Sequence, residues 1–167
     1  MICQYALEPI LEEDGSRRQR EKAAVGRLIV RLAGPTAEIG HNANGSPYIV
    51  GSEWYISVSH SRNFAALAWS DEPGIGIDIE EPRQSQLERV ASKFLSDDEL
   101  PRWTGRLLEA WTIKEAAFKA LRTGPADLRL YKLPTAEGAG VTLDDRRIRI
   151  LFTGFLKEGL HLSLVKA

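Results

Sequence analysis

The sequence predicts an α+β fold, in which helices and antiparallel strands occur in separate blocks. Three observations predict this class. A helical pattern near the N terminus is followed by short alternating segments, two further helical patterns come next, and a second group of short strands ends the chain. The order helix, sheet, helices, sheet indicates two similar halves, residues 1–80 and 81–167, that meet near Glu80.

The first predicted helix begins at Ser16, because Ser16 and Gln19 have the spacing of a capping box. It ends at Gly34, which is followed by proline. One apolar stripe runs along it at helical spacing, formed by Ala24, Val25, Leu28, Ile29 and Leu32. The remaining faces are strongly cationic through Arg17, Arg18, Arg20, Arg27 and Arg31.

Short strands fill the rest of the first half. An Asn-Gly-Ser-Pro turn at 44–47 precedes a strand at 48–50. The alternating segment 54–59 and the apolar segment 64–69 are close enough to form an antiparallel pair. A Pro-Gly turn then leads into a strand at 75–80.

The second half begins with helical patterns and ends with strands. Leu87, Val90 and Phe94 share one helical face, and a second amphipathic helix covers about 106–121. The predicted strands of the tail are 128–133, 141–143, 148–152 and 160–165, with a turn at Asp144 and Asp145.

Composition excludes several classes of function. The chain has 167 residues, of which 43% are hydrophobic and 27% charged, as in soluble globular proteins. No apolar run approaches the roughly 20 residues of a membrane span, and no signal pattern is present, so we expect a cytoplasmic protein. The net charge of -1 argues against nucleic-acid binding, and the single cysteine excludes an internal disulfide, a zinc ribbon or an iron–sulfur cluster. Three histidines argue against a histidine-rich metal site.

Two carboxylates share one face of the strand at 75–80. Since side chains alternate along a strand, Asp78 and Glu80 lie on the face opposite to Ile77 and Ile79. They repel each other unless a cation joins them. The alternative interpretation is a strand edge whose acids face water.

A third carboxylate lies on the apolar arc of the helix at 106–121. Glu115 falls among apolar residues instead of opposite them, where a carboxylate needs a partner. A surface pair of Glu115 with Lys119, worth about 0.3–0.5 kcal/mol, is the simpler alternative. The arc consists of Leu108, Trp111, Glu115, Phe118 and Lys119. With Asp78 and Glu80, Glu115 offers oxygen-only ligation, which suits Mg²⁺.

Two other segments carry weaker signals. Ser96 and Glu99 have the spacing of a capping box, which by itself explains both residues. The serines around His60 could bind an anion, although an ordinary turn explains them equally well.

Five segments in this order resemble the Sfp-type 4′-phosphopantetheinyl transferases of the holo-acyl-carrier-protein synthase superfamily. They cover roughly the middle half of the chain, and the last three are the most specific in their order and spacing. The segments are 44–47 (NGSP), 56–61 (ISVSHS), 76–80 (GIDIE), 94–99 (FLSDDE) and 111–120 (WTIKEAAFKA).

The resemblance implies a fold of two similar α+β halves, a pseudo-dimer with the site between them. It also implies an enzyme that transfers the phosphopantetheine arm of coenzyme A to a serine of an apo acyl or peptidyl carrier protein. The other product is adenosine 3′,5′-bisphosphate. The implied cofactor is Mg²⁺, with Mn²⁺ as an alternative, and the carrier would serve fatty acid, polyketide or peptide synthesis.

The resemblance assigns roles to residues of this chain. The implied metal ligands are Asp78, Glu80 and Glu115. The implied catalytic residues are Glu99, Glu115 and Lys119. The implied contacts to coenzyme A are Arg27, Ser59, His60, Lys114 and Lys119. Since about 75 residues precede the Gly-Ile-Asp segment, they would replace the neighbouring subunit of the short relatives, so we expect a monomer with a complete site.

One position departs from the family pattern, because Ser46 stands where the family usually has a basic residue. That departure favours, as an alternative, a binding protein without turnover; a metal-dependent pyrophosphate hydrolase is a second alternative. Carrier proteins are acidic around their serine, so a basic surface should receive them. The candidates for it are Arg83, Arg89 and Lys93.

Overall fold

Two antiparallel sheets, each packed against one long helix, organise the chain. The structure is a computed structural model that describes residues 1–167. The strands are β1 (Cys3–Pro9), β2 (Ile39–His41), β3 (Pro47–Ile49), β4 (Tyr55–His60), β5 (Phe64–Ser70), β6 (Ile75–Glu80), β7 (Val141–Leu143), β8 (Arg146–Phe155) and β9 (His161–Lys166). The helices are α1 (Arg17–Ala33), α2 (Gln84–Phe94), α3 (Leu100–Trp103) and α4 (Leu107–Leu121), with 3₁₀ turns at Glu12–Asp14, Thr104–Arg106 and Leu128–Leu130. The predicted α+β class is confirmed.

The first sheet has the order β1-β5-β4, and a separate hairpin is formed by β2 and β3. Helix α1 begins with the predicted capping box, in which the Ser16 hydroxyl accepts from the Gln19 amide and the Gln19 side chain accepts from the Ser16 amide. The apolar stripe of α1 packs on the sheet in a core with Ile49, Ile56 and Leu67. This arrangement leaves one cationic side of α1 facing the β2–β3 hairpin.

The second sheet has the order β6-β9-β8-β7, and α4 packs across it. Its register places Asp78 opposite Ser163 and Glu80 opposite His161. The largest core of the protein lies between this sheet, α2 and α4, and includes Phe94. The pairing of β6 with β9 fixes both carboxylates of β6 relative to α4.

A third core joins the two sheets. Small residues of β5 contact branched residues of β6 and β9; the group consists of Ala66, Ala68, Ile75, Ile77, Ile79, Leu160, Leu162 and Leu164. Strand β6 therefore belongs to the second sheet, whereas the division at residue 80 placed it in the first half. The reason is backbone pairing, since the hydrogen-bonded neighbour of β6 is β9.

The segment 128–133, predicted as a strand, begins with a 3₁₀ turn instead. The Asp127 carboxylate accepts from the Arg129 amide at 3.0 Å, which caps the turn. Only Lys132 pairs with another strand segment, through Thr142. None of the helices has both the length and the apolar composition of a transmembrane span.

Candidate functional site

Serine side chains connect the two sheets along β4 and β6. The Ser57 hydroxyl accepts from the amide of Ile77 at 3.1 Å, and the Ser59 hydroxyl accepts from the amide of Ile79 at 3.2 Å. The Ser59 hydroxyl also donates to Oδ1 of Asp78 at 2.9 Å. These bonds replace a backbone ladder between the two strands and fix the position of the Asp78 carboxylate.

Gly76 allows β6 to lie unusually close to α4. A Cβ atom built at Gly76 would lie 2.0 Å from the carbonyl oxygen of Ala116 and 2.9 Å from the Cβ of Ala120. Only glycine fits this approach without moving the helix backbone. The close contact brings Asp78 to the side of α4 that carries Lys119.

The Asp78 carboxylate is buried and only half satisfied. The side chain of Lys119 donates to Oδ1 of Asp78 at 2.7 Å and to the carbonyl of Ile77 at 3.1 Å. The second oxygen, Oδ2, is buried and has no hydrogen-bond partner, and Asp78 as a whole is only 5% exposed. A buried carboxylate oxygen without a partner is costly, and a bound cation would satisfy it.

Two further carboxylates respond to the charge of Asp78. Burial, followed by repulsion from Asp78, raises the pKa of Glu80 to about 7, while Arg83 acts in the opposite direction. The ion pair joins Nη2 of Arg83 to Oε1 of Glu80 at 2.7 Å. Burial and Asp78 also raise the pKa of Glu115, partly offset by Lys119.

These three carboxylates fit a divalent cation by chemistry. No three His, Cys, Asp or Glu side chains converge closely enough in the structure to enclose a metal ion. The donor set of Asp78, Glu80 and Glu115 is nevertheless oxygen-only, burial and the charge of Asp78 raise the pKa values of Glu80 and Glu115, and Oδ2 of Asp78 lacks a partner. A hard cation such as Mg²⁺ prefers oxygen ligands, would offset the negative charge and would give Oδ2 a partner.

A cationic cleft lies between α1 and the β2–β3 hairpin. It has a volume of about 610 Å³ and is called the basic cleft here. Its cationic and imidazole side chains are those of Arg18, Lys22, His41 and His60. His60 is 47% exposed in its side chain, and its Nδ1 lies 3.5 Å from Oε1 of Glu21. The lining suits a phosphorylated ligand.

A narrower cleft lies next to the basic cleft, and Lys119 is part of its lining. This hairpin cleft has a volume of about 210 Å³ and shares Gly45, Pro47 and Val58 with the basic cleft. Its far end is formed by the C-terminal turn of α4, where Lys119 and Arg122 lie. The two clefts are therefore adjacent; the second reaches Lys119, the partner of Asp78, and residues of both halves of the chain line it.

Two of the residues expected to contact coenzyme A are used elsewhere in the structure. The Ser59 hydroxyl is buried, donates to the Asp78 carboxylate and accepts from the amide of Ile79, and Ser59 does not line the basic cleft. Arg27 forms ion pairs with Glu8 and Asp14, each at 2.7 Å, on another side of α1. In both cases an internal partner engages the polar group that the family resemblance assigned to coenzyme A, and the contact with coenzyme A stays a prediction.

Glu99 and Lys114 form a buried ion pair. Both side chains are 0% exposed, and Nζ of Lys114 lies 2.6 Å from Oε2 of Glu99. Burial acts to raise the pKa of Glu99, but bonds from the amide of Leu133, from Lys114 and from the amide of Ser96 outweigh it and lower that pKa. The bond from Ser96 is one half of the capping box that the sequence suggested, whereas the Ser96 hydroxyl bonds to Asp98. The pair therefore anchors α3 and α4, and neither side chain reaches the clefts.

The predicted basic surface on α2 is smaller than expected. Arg83 pairs with Glu80, and its guanidinium carbon lies 5.0 Å from the ring centroid of Trp111. Arg89 and Lys93 remain exposed on α2.

Several residues at the clefts escaped assignment from the sequence. Arg18 was visible only as one of several arginines on α1, and Lys22 and His41 carried no motif. Arg122 lies beyond the last motif, and Ser57 appeared only among hydroxyls near His60. Their roles depend on the packing of α1 and α4 against the hairpin, which no local pattern reports.

Comparison with known proteins identifies a family. The sequence model of the family described as the 4′-phosphopantetheinyl transferase superfamily matches residues 74–159, just over half of the chain. The matched span contains β6 and α4, and hence Asp78, Glu80, Glu115 and Lys119. No curated protein matches the chain.

Proposed function

Because the chain belongs to the 4′-phosphopantetheinyl transferase superfamily, we propose that it moves the 4′-phosphopantetheine group of coenzyme A to a serine of an apo carrier protein. Within the superfamily we assign it to the Sfp-type enzymes, in which one chain holds both halves of the site. The observation that carries the proposal is the buried, partnerless Oδ2 of Asp78, whose ion-pair partner Lys119 lines one of two adjacent clefts with cationic side chains.

Coenzyme A would lie along these two adjacent clefts. The basic cleft would hold the 3′-phosphate through Arg18, Lys22 and His60, since phosphate binding requires cationic donors. The hairpin cleft then leads the diphosphate to Lys119. The phosphorus that is to be attacked would thus lie beside Asp78.

Asp78, Glu80 and Glu115 would hold Mg²⁺. When bound, the ion neutralises the diphosphate and stabilises the negative charge that develops on the leaving oxygen. Lys119 donates to Asp78 and also lines the hairpin cleft, so it would orient both the carboxylate and a bound diphosphate.

The transfer forms one bond and breaks one. The serine oxygen of the carrier bonds to the phosphorus next to pantetheine, and the bond from that phosphorus to the bridging oxygen breaks. Adenosine 3′,5′-bisphosphate leaves with the bridging oxygen, and the serine proton passes to a base. Of the two glutamates considered for that base, Glu99 is enclosed with Lys114 in the core, whereas Glu115 faces the Asp78 region. We assign the base to Glu115.

The carrier would approach along α2. Arg89 and Lys93 are exposed there and could attract the acidic surface of a carrier. Since residues 44–47 and residues 118, 119 and 122 of the same chain line the hairpin cleft, we propose a monomer.

Mass measurement of the carrier tests the proposal. Apo carriers of fatty acid, polyketide and peptide synthesis are each mixed with the protein, coenzyme A and Mg²⁺. A carrier that gains one phosphopantetheine group supports the transferase. Binding of coenzyme A without a mass gain would favour the binding protein, and coenzyme A cleavage without a carrier would favour the hydrolase.

A further inference from the structure

Arg122 holds an unusual position at the junction of the two halves. It is the residue after the last turn of α4, and its backbone is left-handed, with a φ of 59°. Residues other than glycine rarely adopt this backbone conformation, which costs them on the order of 1 kcal/mol. The side chain returns along the hairpin, where it donates to the carbonyls of Pro47 and Ile56. The side-chain amide of Asn44 in turn donates to the backbone carbonyl of Arg122 at 3.1 Å.

The guanidinium of Arg122 has no carboxylate partner. Its two hydrogen bonds go to neutral carbonyls, and no Asp or Glu lies within ion-pair distance. Two other half-buried cations differ in this respect, since Arg27 is paired with Glu8 and Lys119 is paired with Asp78. Burial lowers the pKa of Arg122, and no neighbouring acid offsets that effect. A guanidinium has five N–H donors, so the two carbonyls leave donors free for an anion.

The surroundings decide on which side an anion would bind. Arg122 borders the hairpin cleft on one side and a wider surface cleft on the other. The wider cleft carries Glu53 and Asp71, whose charges oppose a phosphate. In the hairpin cleft the other cation is Lys119, and no carboxylate lines the wall.

The hairpin itself offers no competing cation. Its Ser46 hydroxyl donates to Oδ1 of Asn44 at 2.7 Å and accepts from the Asn42 amide group at 2.9 Å. That hydroxyl is therefore occupied within its own loop, and the positive charge of this wall comes from α4.

We propose that Arg122 binds the diphosphate of coenzyme A in the hairpin cleft, together with Lys119, while the basic cleft binds the 3′-phosphate. The inference rests on the proposed function and extends it to a residue beyond the last family motif. Arg122 holds the hairpin and the diphosphate together, so ligand binding and the junction of the two halves use the same side chain. Lys119, tied to Asp78, supplies the second cationic contact.

Binding measurements without a carrier, so without turnover, test this assignment. Titration calorimetry compares the wild-type protein with R122Q, R122K and the control R146Q, using three ligands: coenzyme A, dephospho-coenzyme A and adenosine 3′-monophosphate. Arg146 is exposed on β8 and borders neither cleft. The variants at position 122 share the same left-handed backbone, so they differ from each other in charge and shape alone.

We expect R122Q to weaken coenzyme A and dephospho-coenzyme A by the same factor, roughly 10- to 100-fold, as for a lost charge-assisted hydrogen bond. R122K should lose less, and R146Q should bind as the wild type does. Adenosine 3′-monophosphate has no diphosphate and should bind R122Q unchanged. A displaced hairpin would weaken this ligand too, since the hairpin also lines the basic cleft.

Three results would overturn the assignment. Equal binding by R122Q and wild type would show that Arg122 does not contact the ligand. Loss for coenzyme A and adenosine 3′-monophosphate, but not for dephospho-coenzyme A, would place Arg122 at the 3′-phosphate. A uniform loss for all three ligands would reduce Arg122 to a support of the hairpin. If wild-type protein binds neither form of coenzyme A, the proposed function itself is wrong, and the role of Arg122 with it.

Discussion

The hydroxyl of Ser59 accepts from the backbone of β6 and donates to the Asp78 carboxylate at 2.9 Å, so one side chain of the first sheet orients an acid of the second. This geometry makes Ser59 a positioning residue. It also explains why one oxygen of Asp78 is held while the other is left without a partner.

Substitution S59A should therefore reduce both stability and transfer. The buried amide of Ile79 would lose its acceptor, which costs about 1–3 kcal/mol of unfolding free energy. Urea unfolding measures that loss, and S85A on the exposed face of α2 is the matched control. A stable S59A protein would show that water replaces the hydroxyl without cost.

Substitutions D78N and E115Q should each remove transfer while preserving the fold. Both remove a charge that the proposed Mg²⁺ site requires. Addition of Mg²⁺ should therefore raise the unfolding temperature of D78N by less than it raises that of the wild type. Carrier mass and circular dichroism measure the two effects, with E158Q in the exposed β8–β9 turn as the control. Full transfer by either variant would remove that residue from the site.

Substitution G76A should destabilise the protein by about 1–3 kcal/mol or more, because the new methyl group would collide with the backbone of α4. The control G26A has the opposite sign. Its Cβ meets nothing within 4 Å on helix α1, so it should gain about 0.5–1 kcal/mol from helix propensity. Chemical unfolding of both variants measures the contrast, and an equal effect would contradict the close approach of β6.

The unfolding temperature without Mg²⁺ should depend on pH through Glu80. In the folded protein the pKa of Glu80 is raised from 4.5 to about 7, so the folded state keeps a proton that the unfolded chain releases. The stability from this group is complete below the unfolded pKa and is lost as pH rises through about 7. In EDTA, the difference between E80Q and wild type should therefore grow from about pH 5 to about pH 8. Parallel curves would show that Glu80 titrates normally.

Removal of one member of the Glu99–Lys114 pair should act on stability first. Substitution K114M leaves a buried carboxylate unpaired and should cost about 3–5 kcal/mol. The double variant E99Q/K114M should recover part of that loss, which a double-mutant cycle measures. If K114M instead kept its stability and lost affinity for coenzyme A, the ligand contact implied by the family resemblance would replace this interpretation.

Local patterns predicted most of the elements. The capping box of α1, the pair of β4 and β5, the strand at 75–80 and α4 all follow from periodicity and turn residues, and the structure confirms them. The prediction of a strand at 128–133 was wrong. Its apolar residues have strand spacing, but Asp127 caps a 3₁₀ turn there. The division at residue 80 stays a prediction, but the pairing of β6 with β9 could not be anticipated, since no local pattern encodes the pairing of strands about 80 residues apart.

The sequence predicted those parts of the candidate site that depend on residue type alone. Asp78, Glu80 and Glu115 could be grouped because each carries a charge in an apolar pattern. The uses of Ser59, Arg27 and Lys114 could not be predicted, since each depends on a partner from a distant segment.

The serines of β4 have a consequence for the edge of the second sheet. Strand β6 is the outermost strand of that sheet, and Ser57 and Ser59 occupy the amides of Ile77 and Ile79. Without β4, an apolar strand with free backbone donors would be exposed, which is the arrangement through which sheets of separate molecules join. The first half therefore protects the second from self-association, in addition to lining the two clefts.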